Sequence, residues 1–163
     1  MSKKVCVVLS GCGFLDGAEI HESVITLLSL SKAGAEYTVA APDKPQMHVV
    51  NHQRGEEAPG EIRNVRDEAA RIARGPVLDL KEVDISLFDA LFLPGGFGAA
   101  KNLSNFAVEG SAGQADPDVA NLVRGFHDAG KPIGAVCIAP AVLALSLGKG
   151  KVTIGTDQGT ADA

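Results

Sequence analysis

A chain of 163 residues, 45% hydrophobic and 21% charged, has the size and make-up of one globular domain that needs no disulfide or metal staple. A formal net charge of -5, 4% aromatic residues and no tryptophan argue against a nucleic-acid or anionic-membrane surface. No window reaches transmembrane length, and Cys6, Cys12 and Cys137 have neither metal-ligand spacing nor the even count of a disulfide framework. Free thiols fit a reducing compartment, so the cytoplasm is the expected location.

Lys3-Lys4 leads into Val5 to Leu9, an apolar run too short for a signal peptide but right for a strand buried on both faces. From Ala18 to Lys32 the apolar period becomes helical, with Ile20, Val24, Leu27 and Leu28, and Gly34 stops the helix. Tyr37 to Ala41 predicts a second strand closed by Pro42-Asp43. Lys44 to Gly60 is polar and irregular, a loop or small excursion. Arg63 to Arg74 predicts a charged, solvent-facing helix. Ala90 to Leu93 predicts a third strand, cut off by Pro94-Gly95-Gly96. Asp116-Pro117-Asp118 starts a helix that runs to Ala129. Pro132 to Cys137 reads as a fourth strand, Pro140 to Leu147 as a short helix, and Lys151 to Ile154 as a further strand.

This alternation predicts an α/β fold: a doubly wound, mostly parallel sheet with helices on both faces. The loops at the carboxyl ends of the strands then form the binding crevice. A doubly wound domain ordinarily adds a helix after its last strand. The chain therefore reads as one domain, 1–163, truncated at its C-terminus, with either a lower stability or a homodimer that covers the gap as the expected consequence.

Gly134-Ala135-Val136-Cys137-Ile138-Ala139-Pro140 carries the chemistry. Small residues permit a sharp strand-to-helix turn that lifts Cys137 out of the sheet, as in a nucleophile elbow. The following helix aims its N-terminal N–H groups at the sulfur and favours the thiolate. The Ile138 N–H is one expected oxyanion donor, and the Gly96 N–H, from Pro94-Gly95-Gly96-Phe97-Gly98, is the other. Ser10-Gly11-Cys12-Gly13-Phe14-Leu15-Asp16-Gly17 imitates a dinucleotide loop, but its spacing is one residue too long. Asp16, Glu19 and Glu22 also crowd the place a pyrophosphate would need. Glu19 and Glu22 share a helix face. A carboxyl from either one beside Cys137 could hydrogen-bond the sulfur and shuttle protons, and spacing does not separate them. Gly95, Asn51 and His52 are the expected substrate contacts, with His48 a further candidate. Cys6 is expected in the core and His127 on the surface.

Gly-Ala-Val-Cys-Ile-Ala-Pro, Leu-Pro-Gly-Gly-Phe-Gly-Ala-Ala-Lys-Asn-Leu-Ser and Glu-Ile-His-Glu-Ser-Val together resemble the PfpI superfamily. They are most similar to its ElbB branch, also called isoprenoid biosynthesis or sigma cross-reacting proteins. The resemblance spans essentially the whole chain and implies a flavodoxin-like, class I glutamine amidotransferase-like fold. It implies Cys137 as nucleophile, Glu22 as the carboxyl beside it, and the Gly96 and Ile138 amides as the oxyanion hole. Two departures stand out: amidotransferases and the proteolytic members have His beside or facing the cysteine, but here Ile138 follows it, and Gly155 falls where some relatives place the facing His. The resemblance implies a glutathione-independent glyoxalase acting on small 2-oxoaldehydes, with no metal and no organic cofactor. The alternative is a non-catalytic redox sensor or stress-protective protein using the same thiol.

Overall fold

The computed structural model describes residues 2–153 together with Thr156 and Gln158. In chain order the elements are β1 (Lys4–Val8), α1 (Ile20–Lys32), β2 (Glu36–Ala41), β3 (Val50–Asn51), β4 (Glu56–Glu57), α2 (Val65–Ala73) and β5 (Leu78–Asp79). They continue with β6 (Ala90–Leu93), α3 (Phe97–Lys101), α4 (Phe106–Glu109), α5 (Pro117–Asp128), β7 (Ile133–Ala135) and α6 (Ala139–Leu147). The main sheet has the order β5-β2-β1-β6-β7, and every pairing in it is parallel. The order reverses between β1 and β6, where parallel α/β sheets open a crevice at their carboxyl ends. The loop after β1 and the Pro94-Gly95-Gly96 loop after β6 meet there.

Successive side chains of β1 point to opposite faces of the sheet. Val5, Val7 and Leu9 pack with Leu27 of α1 and Val65, Ala69 and Ile72 of α2. Cys6 and Val8 pack on the other face with Ala99 of α3, Val119, Val123 and Phe126 of α5, and Val142 of α6. The sheet is therefore doubly wound, and burial on both faces explains why β1 reads as a continuous apolar run.

Several elements differ from the sequence expectation. α2 is not a solvent-facing helix: Val65, Glu68, Ala69 and Ile72 are buried along one side. The buried Glu68 meets Arg71 at 3.1 Å and Arg63 at 3.6 Å, which is how a charged segment closes a core. Leu78–Asp79 adds an edge strand too short to show a period. The polar stretch after residue 44 holds the two-stranded β3–β4 hairpin. α3 and α4 fill the segment between Gly96 and Gly110, where five- and four-residue helices leave no repeat to read. Lys151, Val152 and Thr153 carry no regular structure, and Ile154 lies outside the described residues. Asp116 caps α5 by accepting from the Asp118 and Val119 N–H groups, with Pro117 in the first turn, and also pairs with Lys44.

Candidate active site

The elbow is built as its composition suggests. The Val136 N–H donates to Leu93 O at 3.2 Å and extends the β6–β7 contact by one residue. The chain then turns at Cys137, whose φ is 58°, and the Ala139 N–H closes the turn onto Val136 O at 3.0 Å. Only Arg74 and Cys137 among the described non-glycine residues have positive φ. Arg74 is an ordinary left-handed helix end. Cys137 instead precedes a helix, where a left-handed non-glycine residue stores about 1–3 kcal/mol of strain. Its side chain is exposed, not packed in the core.

Glu19 and Glu22 have different roles. Glu19 is the N-cap of α1: its Oε2 accepts from the Glu22 N–H at 2.7 Å, and its Oε1 lies 3.0 Å from His21 Nδ1. Partial desolvation pushes the Glu19 carboxyl up, but these hydrogen bonds outweigh it and hold it below the ordinary carboxylate range. Glu22 turns the other way, and its Oε2 accepts from the Gly95 N–H at 2.9 Å. A Cβ placed on Gly95 would lie 2.6 Å from Glu22 Oε2, 2.9 Å from Cys137 Sγ and 2.2 Å from Cys137 Cβ. The carboxyl and the thiol thus converge over one glycine, and only a residue without a side chain fits between them.

Gly95, expected as a substrate contact, has both backbone polar groups taken within the protein. Its N–H is held by Glu22 and its carbonyl accepts from the Glu19 N–H at 2.9 Å. Its part is to orient the acid and leave room for the sulfur. The next amide is different: among the described residues neither the Gly96 nor the Ile138 N–H has an acceptor. Gly96 has a φ of 96°, and a Cβ there would meet Glu19 N at 2.4 Å and Gly17 O at 2.5 Å, so the position admits only glycine.

Asn51 and His52 are engaged elsewhere. Asn51 Oδ1 accepts from the Gln53 and Arg54 N–H groups and shapes the β3–β4 turn. His52 Nδ1 lies 3.0 Å from Val50 O, its Nε2 accepts from the Leu15 N–H at 3.3 Å, and its ring meets Phe14 edge-on. Both hold loops: the two ring nitrogens of His52 and the Oδ1 of Asn51 are taken by backbone groups. His48 is bound between Glu57 and Lys101. His127 is exposed as expected. Cys6 is fully buried, and burial pushes its thiol up to about 12. Cys12 is half-buried, and desolvation, aided by Glu68, raises its thiol too.

Asn102 is the residue that sequence reading passed over. A fully buried amide at the end of α3, it joins three separate segments by hydrogen bonds. Nothing in one sequence separates such an Asn from an ordinary helix-ending one. A groove of about 460 Å³ also opens beside Cys137 and Ile138, walled by Phe106, Pro140, Ala144, Leu145 and Val152.

The DJ-1/PfpI family model matches residues 3–154. The chain belongs to the DJ-1/PfpI family. It is 51% identical over 155 residues to the human glutamine amidotransferase-like class 1 domain-containing protein 3, mitochondrial, covering 95% of this chain and 58% of that protein. It is also 51% identical over 156 residues to the rat ES1 protein homolog, mitochondrial, with the same coverage. The chain thus spans little more than half the length of these family members. Among solved structures it resembles the isoprenoid biosynthesis protein with amidotransferase-like domain from Ehrlichia chaffeensis, with a TM-score of 0.84 and 44% identity. That match covers 88% of this chain and 68% of the other, and it agrees with the ElbB branch and with the amidotransferase-like fold.

The expected cytoplasmic location does not stand, because these curated family members are mitochondrial. Cysteine usage could not have distinguished the two, since a mitochondrial matrix also keeps thiols reduced.

Proposed function

We propose that this family member is a glutathione-independent glyoxalase that converts 2-oxoaldehydes to 2-hydroxy acids through Cys137. The observation that carries the reading is the convergence of the exposed Cys137 thiol and the Glu22 carboxyl over Gly95. In the first step the thiolate adds to the aldehyde carbon, and the carbonyl electron pair becomes an alkoxide facing the Gly96 and Ile138 N–H groups. Protonation gives the hemithioacetal. Glu22 then removes the hydrogen on that carbon as a proton, and the electrons move onto the adjacent carbonyl oxygen to form an enediolate. The same carboxyl returns the proton to the second carbon while the proton of the first hydroxyl passes to the second oxygen, leaving a thioester of Cys137. Water adds to the thioester and expels the thiolate. One carbon is oxidised as its neighbour is reduced, so aldehyde and water balance the product without an external redox partner.

Glutamine amidotransfer is the less supported reading. Such enzymes have a His beside or facing the cysteine; here Ile138 follows Cys137, and Gly155, the expected facing position, lies outside the described residues. The exposure of Cys137 also suits a redox sensor. The deciding assay incubates purified protein with glyoxal and measures glycolate, without glutathione or added metal. Slow wild-type turnover that vanishes in Cys137→Ser supports the glyoxalase. Wild-type turnover retained by Cys137→Ser removes Cys137 as nucleophile. No glycolate from the wild type, with ready oxidation of Cys137 to the sulfinate by dilute peroxide, replaces the enzyme with the sensor.

A further inference from the structure

Glu22 reaches Cys137 only because the loop of residues 9–19 is seated against the segment of residues 95–102, and the bonds between them form a circuit. The Phe97 N–H donates to Phe14 O at 2.8 Å and the Gly98 N–H to Gly17 O at 2.8 Å. The Glu19 N–H donates to Gly95 O, Glu19 Oε2 accepts from the Glu22 N–H, and Glu22 Oε2 accepts from the Gly95 N–H. The backbone of α3 thus holds the middle and far end of the loop, and the loop in turn carries the cap of the helix that presents Glu22.

Leu9 at the near end donates its N–H to Ala40 O of β2 at 2.9 Å, and the residues beyond it are held by a side chain. Asn102 Nδ2 donates to Ser10 O at 2.9 Å and to Asp16 O at 2.8 Å, and Asn102 Oδ1 accepts from the Met47 N–H at 2.9 Å. The residue is 1% exposed, so water cannot replace these bonds. Both amide protons and the carbonyl are used, and they tie both sides of the loop and the chain beyond β2 to the end of α3. We infer that Asn102 is a positioning residue for the proton-relaying carboxyl: it acts through the loop to hold Glu22 over Gly95. The inference rests on the glyoxalase reading for its effect on rate, but not for its effect on geometry.

The test is Asn102→Asp in the intact protein. The new carboxylate has the shape of the amide but sets oxygen against Ser10 O and Asp16 O. Expected are a fall in kcat with glyoxal of about 10- to 100-fold, the scale of a misplacement near 1 Å, and a KM within about twofold of wild type. The second readout is hydrogen exchange: the Gly95, Gly17 and Gly98 amides lose protection, while Val7 and Val39 in the central strands keep theirs. Leu122→Ala, a core truncation on α5, is the control for general destabilisation, and it should leave kcat and Gly95 protection unchanged. If Asn102→Asp does not fold, Asn102→Ala, which removes the bonds without adding charge, carries the same expectations. Unchanged Gly95 exchange in the folded variant overturns the inference, as does an equal loss of kcat and Gly95 protection in Leu122→Ala. A wild type that turns over no 2-oxoaldehyde sinks the glyoxalase reading alone, and the Gly95 exchange still decides the role of Asn102.

Discussion

Replacing Gly95 with alanine tests the geometry of the site with a single methyl group. Gly95 is not among the glycines with positive φ, so alanine introduces no backbone strain. It leaves the Gly95 N–H bond to Glu22 and the bond from the Glu19 N–H formally intact. What it adds is a carbon 2.2 Å from Cys137 Cβ, 2.6 Å from Glu22 Oε2 and 2.9 Å from Cys137 Sγ. Ordinary carbon contacts lie near 3.5–4.0 Å, so the elbow or the helix carrying Glu22 must move by more than about 1 Å. A displacement of that size between reacting groups lowers a rate by about 100-fold. The overpacking itself destabilises by about 1–3 kcal/mol, equivalent to several degrees in Tm for a domain of this size. The assay pairs initial rates of glycolate formation with thermal denaturation of the same preparation. A folded Gly95→Ala protein with wild-type kcat would mean that Cys137 and Glu22 do not work across this gap, and the reasoning for the site would fail.

The two acids of α1 should separate cleanly: Glu22→Gln lowers kcat by about 100-fold or more, whereas Glu19→Gln weakens the cap by about 1 kcal/mol with a much smaller change in rate. Similar rate losses for both would return the assignment to where spacing left it. The Glu19 carboxyl is depressed in the folded protein, so its contribution to stability is present above the unfolded value and lost as pH falls through the folded one. The Tm difference between wild type and Glu19→Gln should therefore shrink as pH falls below the ordinary glutamate range near 4.3. A difference that persists undiminished well below that range refutes the cap. Iodoacetamide at neutral pH, followed by peptide mass spectrometry, should label the exposed Cys137 first and the half-buried Cys12 more slowly. Cys6, fully buried with its thiol pushed up to about 12, should label only on unfolding, and early labelling there would contradict the two-faced core.

The alternation of apolar runs with helical periods was enough to establish a doubly wound parallel sheet, because β1 and β6 are long enough to show burial and α1 and α5 long enough to show a period and a cap. It was also enough to single out Cys137, since small residues before a cysteine and a proline-started helix after it describe an elbow locally. The short pieces were not legible: Leu78–Asp79, α3 and α4 carry too few residues for any repeat. Nor was the burial of Glu68 in α2, which depends on Arg63 and Arg71 lying beside it in space. Spacing put Glu19 and Glu22 on one helix face, and only the placement of Gly95 against α1 made one a cap and the other the carboxyl beside the thiol. Asn51 and His52 looked like substrate contacts because polar residues in a loop have no visible partners in a sequence. Their partners are backbone groups brought close by the β3–β4 turn and by the loop after β1. Local composition thus determined which residues could be reactive, and long-range hydrogen bonds decided which of them face Cys137, because those bonds join positions far apart in the chain.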